Sequence, residues 1–483
     1  MFGGHKMKKG ILCVTVLFFL LPSLSGAARV QLDQSFNRPR GFTLFNGSSN
    51  SFDEGFAVAL TVQSDGKIIA VGVSNNGNDD DVLVLRYNRN GTLDPTFGNQ
   101  GVFIYNGPAK NNDGGFAVAL QSDQKIVVAG YSSNGTDRDL LVLRLLTNGT
   151  LDGSFNGTGV VTFNGSGNGD DTGNGVAIQT GDGKIVVVGD TYNGLNVDVI
   201  VLRYNTNGTL DTAGFGSPNG FITFDSPVQE NDSGLAVAIQ TGDGKIVVVG
   251  ETDDGVTFNV LTLRLNGDGT LDTAGFGSPN GFVTYDGPAG FDDTGFAVVL
   301  QTDGKIVVVG DTDNGTSNDV LALRYNSDGS LDGTFGTGGV FTYDGPTNGN
   351  DEGFAVTLQP DGKIIIAGDS NSGTNADVLV LRLTKEGILD QEFGGGVFTF
   401  NGPANGGDTG NAVVVQPDGR IVVVGFADNG ENNDVLTLRL LLLDNIEAIP
   451  TLTGWGVMIL IGLIGLQFLI YLRRRRSEAT KIL

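Results

Sequence analysis

A unit of about sixty residues recurs seven times along this 483-residue chain, with the same landmarks in the same order each time. Every unit opens on a leucine and an aspartate ahead of a phenylalanine: Leu32/Asp33, Leu93/Asp94, Leu151/Asp152, Leu210/Asp211, Leu271/Asp272, Leu331/Asp332 and Leu389/Asp390. The intervals are 61, 58, 59, 61, 60 and 58 residues. A single unit of this length cannot bury its own apolar faces, so the fold has to come from neighbouring units stacking on one another. The chain is also too long for one ordinary core, a limit that a repeat array escapes because each unit contacts only its neighbours.

Within each unit, hydrophobicity and turn residues mark four short β-type runs. Around Leu210 they are Gly220 to Phe224, Leu235 to Gln240, Lys245 to Val249 and Val260 to Leu265, with Asp243 and Gly244 suited to the positive φ of a hairpin turn. The runs are dense rather than alternating, as in Ile185, Val186, Val187 and Val188. Antiparallel strands buried on both faces, with no helix signal, are what the blades of a propeller require. The expected fold is therefore all-β: a seven-bladed β-propeller of four-stranded antiparallel blades spanning residues 28–445. A β-solenoid is the alternative, although its coils are usually shorter. The repeat region begins with a fourth-type strand, Gly41 to Phe45, and ends with a third-type strand, Val435 to Leu440. An N-terminal strand that joins the C-terminal blade would close the ring and leave no open edge there.

The units resemble the delta-60 repeat family, through the opening Leu-Asp element and a turn of the form Asp-Gly-Lys. That turn reads Asp65-Gly66-Lys67, Asp123-Gln124-Lys125, Asp182-Gly183-Lys184, Asp243-Gly244-Lys245, Asp303-Gly304-Lys305, Asp361-Gly362-Lys363 and Asp418-Gly419-Arg420. Gln124 and Arg420 depart from the pattern, and two openings carry one extra residue, from Asp211 to Phe215 and from Asp272 to Phe276. The resemblance implies a propeller-type fold on secreted or surface bacterial proteins, with no established activity attached.

The two ends read as addresses. Lys6, Lys8 and Lys9 precede an apolar run from Ile11 to Leu21, with small residues at Ser25 and Ala27, which is the pattern of a secretory signal peptide over residues 1–27. The only cysteine, Cys13, and the only histidine, His5, lie inside it. Once it is removed, no disulfide, cysteine nucleophile, histidine triad or histidine-ligated zinc is available. At the other end, residues 455–472 form an apolar stretch followed by Arg473, Arg474, Arg475 and Arg476. Its helical length of about 27 Å matches a bilayer core, with the arginines on the cytoplasmic side. Ile449, Pro450, Thr451 and Leu452, with Trp455, Gly456 and the arginines, resemble the IPTL-CTERM sorting signal of Gram-negative bacteria, over residues 446–483. Thr453 and Gly454 stand where that pattern usually has Ser-Glu. The resemblance implies an exosortase-like sorting enzyme as partner, anchoring in the inner membrane before processing, and display or release at the cell surface.

Three sevenfold sets carry the chemistry. Arg86, Arg144, Arg203, Arg264, Arg324, Arg382 and Arg439 end the third strands, and an acidic or amide residue begins them: Asp81, Asp139, Asp198, Asn259, Asp319, Asp377 and Asp434. The arginines could face an anionic ligand, but recurrence inside a hydrophobic strand favours ion pairs or carbonyl contacts that stitch adjacent blades. The third set, just before the innermost strand, is Asp53, Asp113, Asp171, Asp232, Asp293, Asp351 and Asp408. These are expected to ring one mouth of the propeller. Loops with Asp190, Glu251, Asp253, Asp254, Asp311, Asp313 and Asp369 are expected on the same face. An acidic rim of carboxylates and carbonyls suits a hard cation such as Ca²⁺, whereas capping of turns is the plainer role for such residues. A net charge of −25 argues against nucleic acid. The reading is a non-enzymatic surface module that binds a glycan or protein. The alternative is a carboxylate-based glycoside hydrolase, which needs one blade to differ from the rest, and no unit carries a distinctive cluster.

Overall fold

Each dense apolar run becomes a strand with one face toward each neighbouring sheet. The computed structural model describes residues 29–60 and 66–443. The expected signal peptide, the sorting signal and the apolar stretch 455–472 lie outside the described residues. Among those described, no helix is long and apolar enough to cross a membrane.

The strands form seven antiparallel sheets in chain order around a ring. The inner strands are Asp53–Leu60, Asp113–Leu120, Asp171–Ile178, Asp232–Ile239, Asp293–Leu300, Asp351–Leu358 and Asp408–Val415. In the fourth blade the inner strand is followed by Ile246–Asp253, Phe258–Leu265 and the short outer strand Phe282–Tyr285. Consecutive inner strands touch, and Asp408–Val415 touches Asp53–Leu60, so the ring is closed.

Strand periodicity explains the density of the apolar runs. Ile185 and Val187 pack into the seam with the second blade, while Val186 and Val188 pack into the seam with the fourth, against Ile246, Val248, Leu261 and Leu263. A residue of this kind contributes roughly 1.5–3 kcal/mol when fully buried, and each of the seven seams is built from such residues. The closing seam joins Ile68, Ala70, Leu83 and Leu85 of the first blade to Val422, Val424 and Val435 of the last.

Closure uses both chain ends, as expected, with one addition. The last blade consists of Asp408–Val415, Ile421–Asp428 and Asn433–Leu443, and Phe42–Phe45 pairs with the third of these from Phe42 opposite Leu438 to Phe45 opposite Val435. A further strand, Arg29–Leu32, pairs with Leu440–Leu443 of the same partner. Elsewhere the equivalent contact is a single bridge, such as Tyr87 to Leu93. Only in the last blade does the third strand run on far enough to pair with four residues.

The strands also run further toward one face than the sequence suggests. The Asp-x-Gly aspartates are the first residues of the inner strands, not part of the preceding loop. Just beyond them each inner strand bulges, as between Gly234 and Ala236. The bulge presses its carbonyl onto a glycine of the second strand: a Cβ on Gly250 would lie 1.9 Å from the Ser233 oxygen. Gly72, Gly130, Gly189, Gly310, Gly368 and Gly425 meet the same obstruction in the other blades.

Candidate functional site

All seven Asp-x-Gly carboxylates are fully buried, so they lie beneath the mouth of the ring and do not form its exposed rim. The physical reason is the loop from the preceding outer strand, which folds over them. In six blades the Oδ2 atom accepts the backbone N–H of Gly47, Gly107, Gly165, Ser226, Gly287 or Gly345 at 2.5 to 2.6 Å, and Gly402 donates likewise to Asp408. Opposite each aspartate on the second strand stands Ser74, Ser132, Thr191, Thr252, Thr312 or Ser370, and in the last blade Ala427. Thr191 donates its hydroxyl to Asp171 Oδ1 at 2.5 Å.

The aspartates at the second position of the third strands stand beside them. Asp81 and Asp113 repel one another across the seam between the first and second blades. Asp139 and Asp171, Asp319 and Asp351, Asp377 and Asp408, and Asp434 and Asp53 do the same at other junctions. Burial, reinforced by these like charges, pushes the carboxyls above their ordinary range; Asp408, which has no hydroxyl opposite, reaches about 6. The sites of Asp319, Asp344 and Asp351 converge further, one oxygen from each lying within 4.8 Å of the others. These three could hold a metal ion. No lysine or arginine among the described residues pairs with any of them.

A second acidic group breaks the sevenfold symmetry. At the position after the second-strand glycine, blades three to six carry Asp190, Glu251, Asp311 and Asp369, while the other three carry Val73, Tyr131 and Phe426. These four were expected in the loops that follow the second strands, and the structure places them within the strands themselves. The carboxylates reach toward the next blade: Asp190 accepts the Gly234 N–H at 3.1 Å, and Glu251 and Asp369 accept the Thr294 and Thr409 hydroxyls at 2.9 Å. Asp311 takes the Asn318 amide at 2.6 Å. Burial, with Glu352 and Glu251 nearby, pushes Asp311 up to about 7. Burial also lifts Asp369 to about 7 against the Thr409 bond, and Asp190 to about 6 against that from Asn174. On the other side of the ring Phe56 stacks edge-on to Phe116 at 5.2 Å, and Phe116 meets Tyr131 at 5.5 Å.

The remaining loop carboxylates cap turns. Asp253 accepts the Gly255 N–H, Asp254 those of Val256 and Thr257, and Asp313 that of Gly315.

The arginine set stitches the blades. Arg203 grips Asp211 through Nε at 2.9 Å and Nη2 at 2.7 Å, donates Nη1 to the Gly267 carbonyl of the next blade at 2.5 Å, and lies 4.8 Å from the Phe215 ring centre. Lys184 of the Asp-Gly-Lys turn adds a contact of 2.8 Å to the same carboxylate. The opening aspartate, the turn lysine and the third-strand arginine are thus one buried clasp, repeated around the ring. At the closure Arg439 and Arg420 hold Asp33, and Arg439 reaches the Arg89 carbonyl and the Phe36 ring.

A family model described as a domain of unknown function (DUF5122) beta-propeller matches residues 63–97, 121–155, 180–213, 241–274, 301–335, 359–393 and 416–444. The chain carries seven DUF5122 beta-propeller repeats. Each match takes in one Asp-Gly-Lys turn or its variant and the third-strand arginine, and the first six also take in the opening aspartate that the arginine grips. No curated protein matches the chain. Among solved structures it is similar to the polysaccharide lyase Uly1, at 12% identity over 87% of this chain and 98% of that one, with a TM-score of 0.45. It is also similar to Sqt1 from Chaetomium thermophilum, at 13% identity over 82% and 96%, with a TM-score of 0.44.

Proposed function

We propose that these DUF5122 repeats form a non-enzymatic binding or adhesion module, exported and displayed or released at the cell surface. On this reading the acidic face engages an extracellular glycan or protein, with Ca²⁺ supplying the counter-charge. The observation that carries it is the near-equivalence of the seven blades, each of which presents the same turns to one face of the ring, a repetition that suits multivalent contact better than a single catalytic centre. The signal peptide over 1–27 and the sorting signal of Ile449, Pro450, Thr451, Leu452, Trp455, Gly456 and Arg473 to Arg476 support export and handling by an exosortase-like enzyme from the inner membrane.

The experiment is a glycan and matrix-protein array probed with the purified chain, with and without chelator. Retention on a defined ligand class that chelator abolishes supports the module. Release of shortened oligosaccharide from a bound glycan would replace it with the glycoside hydrolase reading, for which the raised carboxyls of Asp311 and Asp369 would be the first residues to change.

A further inference from the structure

We propose that the propeller binds Ca²⁺ at its blade junctions, most firmly where the second residue of the third strand of one blade is an aspartate that faces the buried aspartate beginning the inner strand of the next. This deepens the reading above, since it places the cation within the fold and makes it a fastener between sheets.

The geometry carries it. At the junction of the fifth and sixth blades, one oxygen each of Asp319, Asp344 and Asp351 lie within 4.8 Å of one another, and Asp351 is fully buried with the Ser370 hydroxyl and the Gly345 N–H on its carboxylate. The Oδ1 of Asp319 is buried and unpartnered, because Asn314 takes only the other oxygen, at 3.0 Å. Similar orphans recur elsewhere in the ring, at Oδ1 of Asp81 beside Asp113 and at Oδ1 of both Asp377 and Asp408. Two close carboxylates shielded from water, with no cationic side chain beside them, need a positive charge or a shared proton.

The donors are all oxygen and anionic, which selects a hard divalent ion, and their number and irregular spacing suit Ca²⁺ better than the strict octahedron of Mg²⁺. The position equivalent to Asp344 always offers a further side-chain oxygen: Asn46, Asn106, Asn164, Asp225, Asp286 or Asn401. Two junctions stand out. Asp225 joins Asp198 and Asp232 as a third carboxylate, as Asp344 does for its pair. The fourth blade instead has Asn259 in place of the third-strand aspartate. Affinity should therefore be highest at the Asp225 and Asp344 junctions and lowest beside Asn259.

The chain itself supplies variants that preserve the fold. Asp319→Asn reproduces Asn259, and Asp344→Asn reproduces Asn106, each a residue that this protein already tolerates at the equivalent place. The purified full-length chain, stripped with chelator, is titrated with Ca²⁺ by calorimetry and its thermal melt followed. The expected result is several ions per chain with dissociation constants of about 10⁻⁴ to 10⁻³ M, as in extracellular modules, and a rise in melting temperature. The double variant Asp319→Asn/Asp344→Asn should lose one ion or weaken its tightest site at least tenfold, and Asn259→Asp should gain affinity. No binding up to about 10 mM, unchanged stoichiometry in the double variant, or a melt that responds to acid but not to Ca²⁺, overturns the proposal; the last result would assign a shared proton to each pair. Ligand retention on the array that survives chelator while Ca²⁺ still binds the junctions would separate the fastener from the binding role.

Discussion

Replacing Asp33 by alanine should open the ring at its seam. Asp33 is 3% exposed and lies in the N-terminal segment, gripped by Arg439 at 2.8 Å and Arg420 at 2.7 Å from the last blade. Burial opposes its ionisation, but the hydroxyl and N–H of Ser35, then Arg439, outweigh that and hold its carboxyl at about 2. A group near 3.9 in the unfolded chain and near 2 in the fold contributes about 2.6 kcal/mol at neutral pH. That contribution is complete above about pH 4 and is lost as pH falls through about 2, since the depressed value belongs to the folded state. Alanine also leaves Arg439 buried without its counter-ion, and breaking a pair of this kind from one side costs about 3–5 kcal/mol. The expected loss is therefore ~3 kcal/mol. It should be concentrated at the seam, because Arg29–Leu32 and Phe42–Phe45 both pair with the strand that carries Arg439. Denaturant titration reads the total, and hydrogen exchange of the amides from Leu436 to Leu443 reads the location. Asp211→Ala, which removes the same clasp within the ring, serves as the control. A loss below about 0.5 kcal/mol, or equal exchange at the seam in both variants, would refute the reasoning.

Three further outcomes follow from particular residues. The carboxyl of Asp311 sits at about 7 in the fold, above its unfolded value, so its effect on stability is unfavourable and grows as pH rises from about 4 to 7; Asp311→Asn should gain ~1–2 kcal/mol over the natural chain at pH 7.5 and nothing at pH 4, and parallel stability profiles would contradict this. Gln124 holds φ at 68° where the other described turns have glycine, and Gln124→Gly should stabilise by about 1 kcal/mol in a thermal melt. Gly250→Ala drives a Cβ into the Ser233 carbonyl and should cost ~3 kcal/mol or more, seen as lost soluble yield or a lower melting temperature.

Local chemistry is enough to read the blades from the sequence. The Asp-Gly pairs need positive φ, the Ile185 to Val188 run needs apolar neighbours on both sides, and the order of strands at the two ends already implies a shared last blade, all properties of short segments. The extra strand Arg29–Leu32 escapes such reading because its partner, Leu440–Leu443, lies some four hundred residues away. The charged residues divide in the same way. Recurrence alone marks the arginine, the opening aspartate and the turn lysine as three separate sets, yet Arg203, Asp211 and Lys184 meet only when the hairpins fold together.

The repeat, the strand count and the closure are thus legible in the linear chain, because they follow from spacing and from which side chains need burial. That Asp53, Asp113 and their equivalents sit beneath loops, beside the aspartates of the neighbouring blade, emerges only on folding, since burial and the approach of like charges depend on how the sheets are set around the ring. The same holds for the arc of Asp190, Glu251, Asp311 and Asp369. The sequence marks these residues as acidic and on one face, but their burial within the second strands and the closeness of Glu251 and Glu352 to Asp311 exist only in the folded ring.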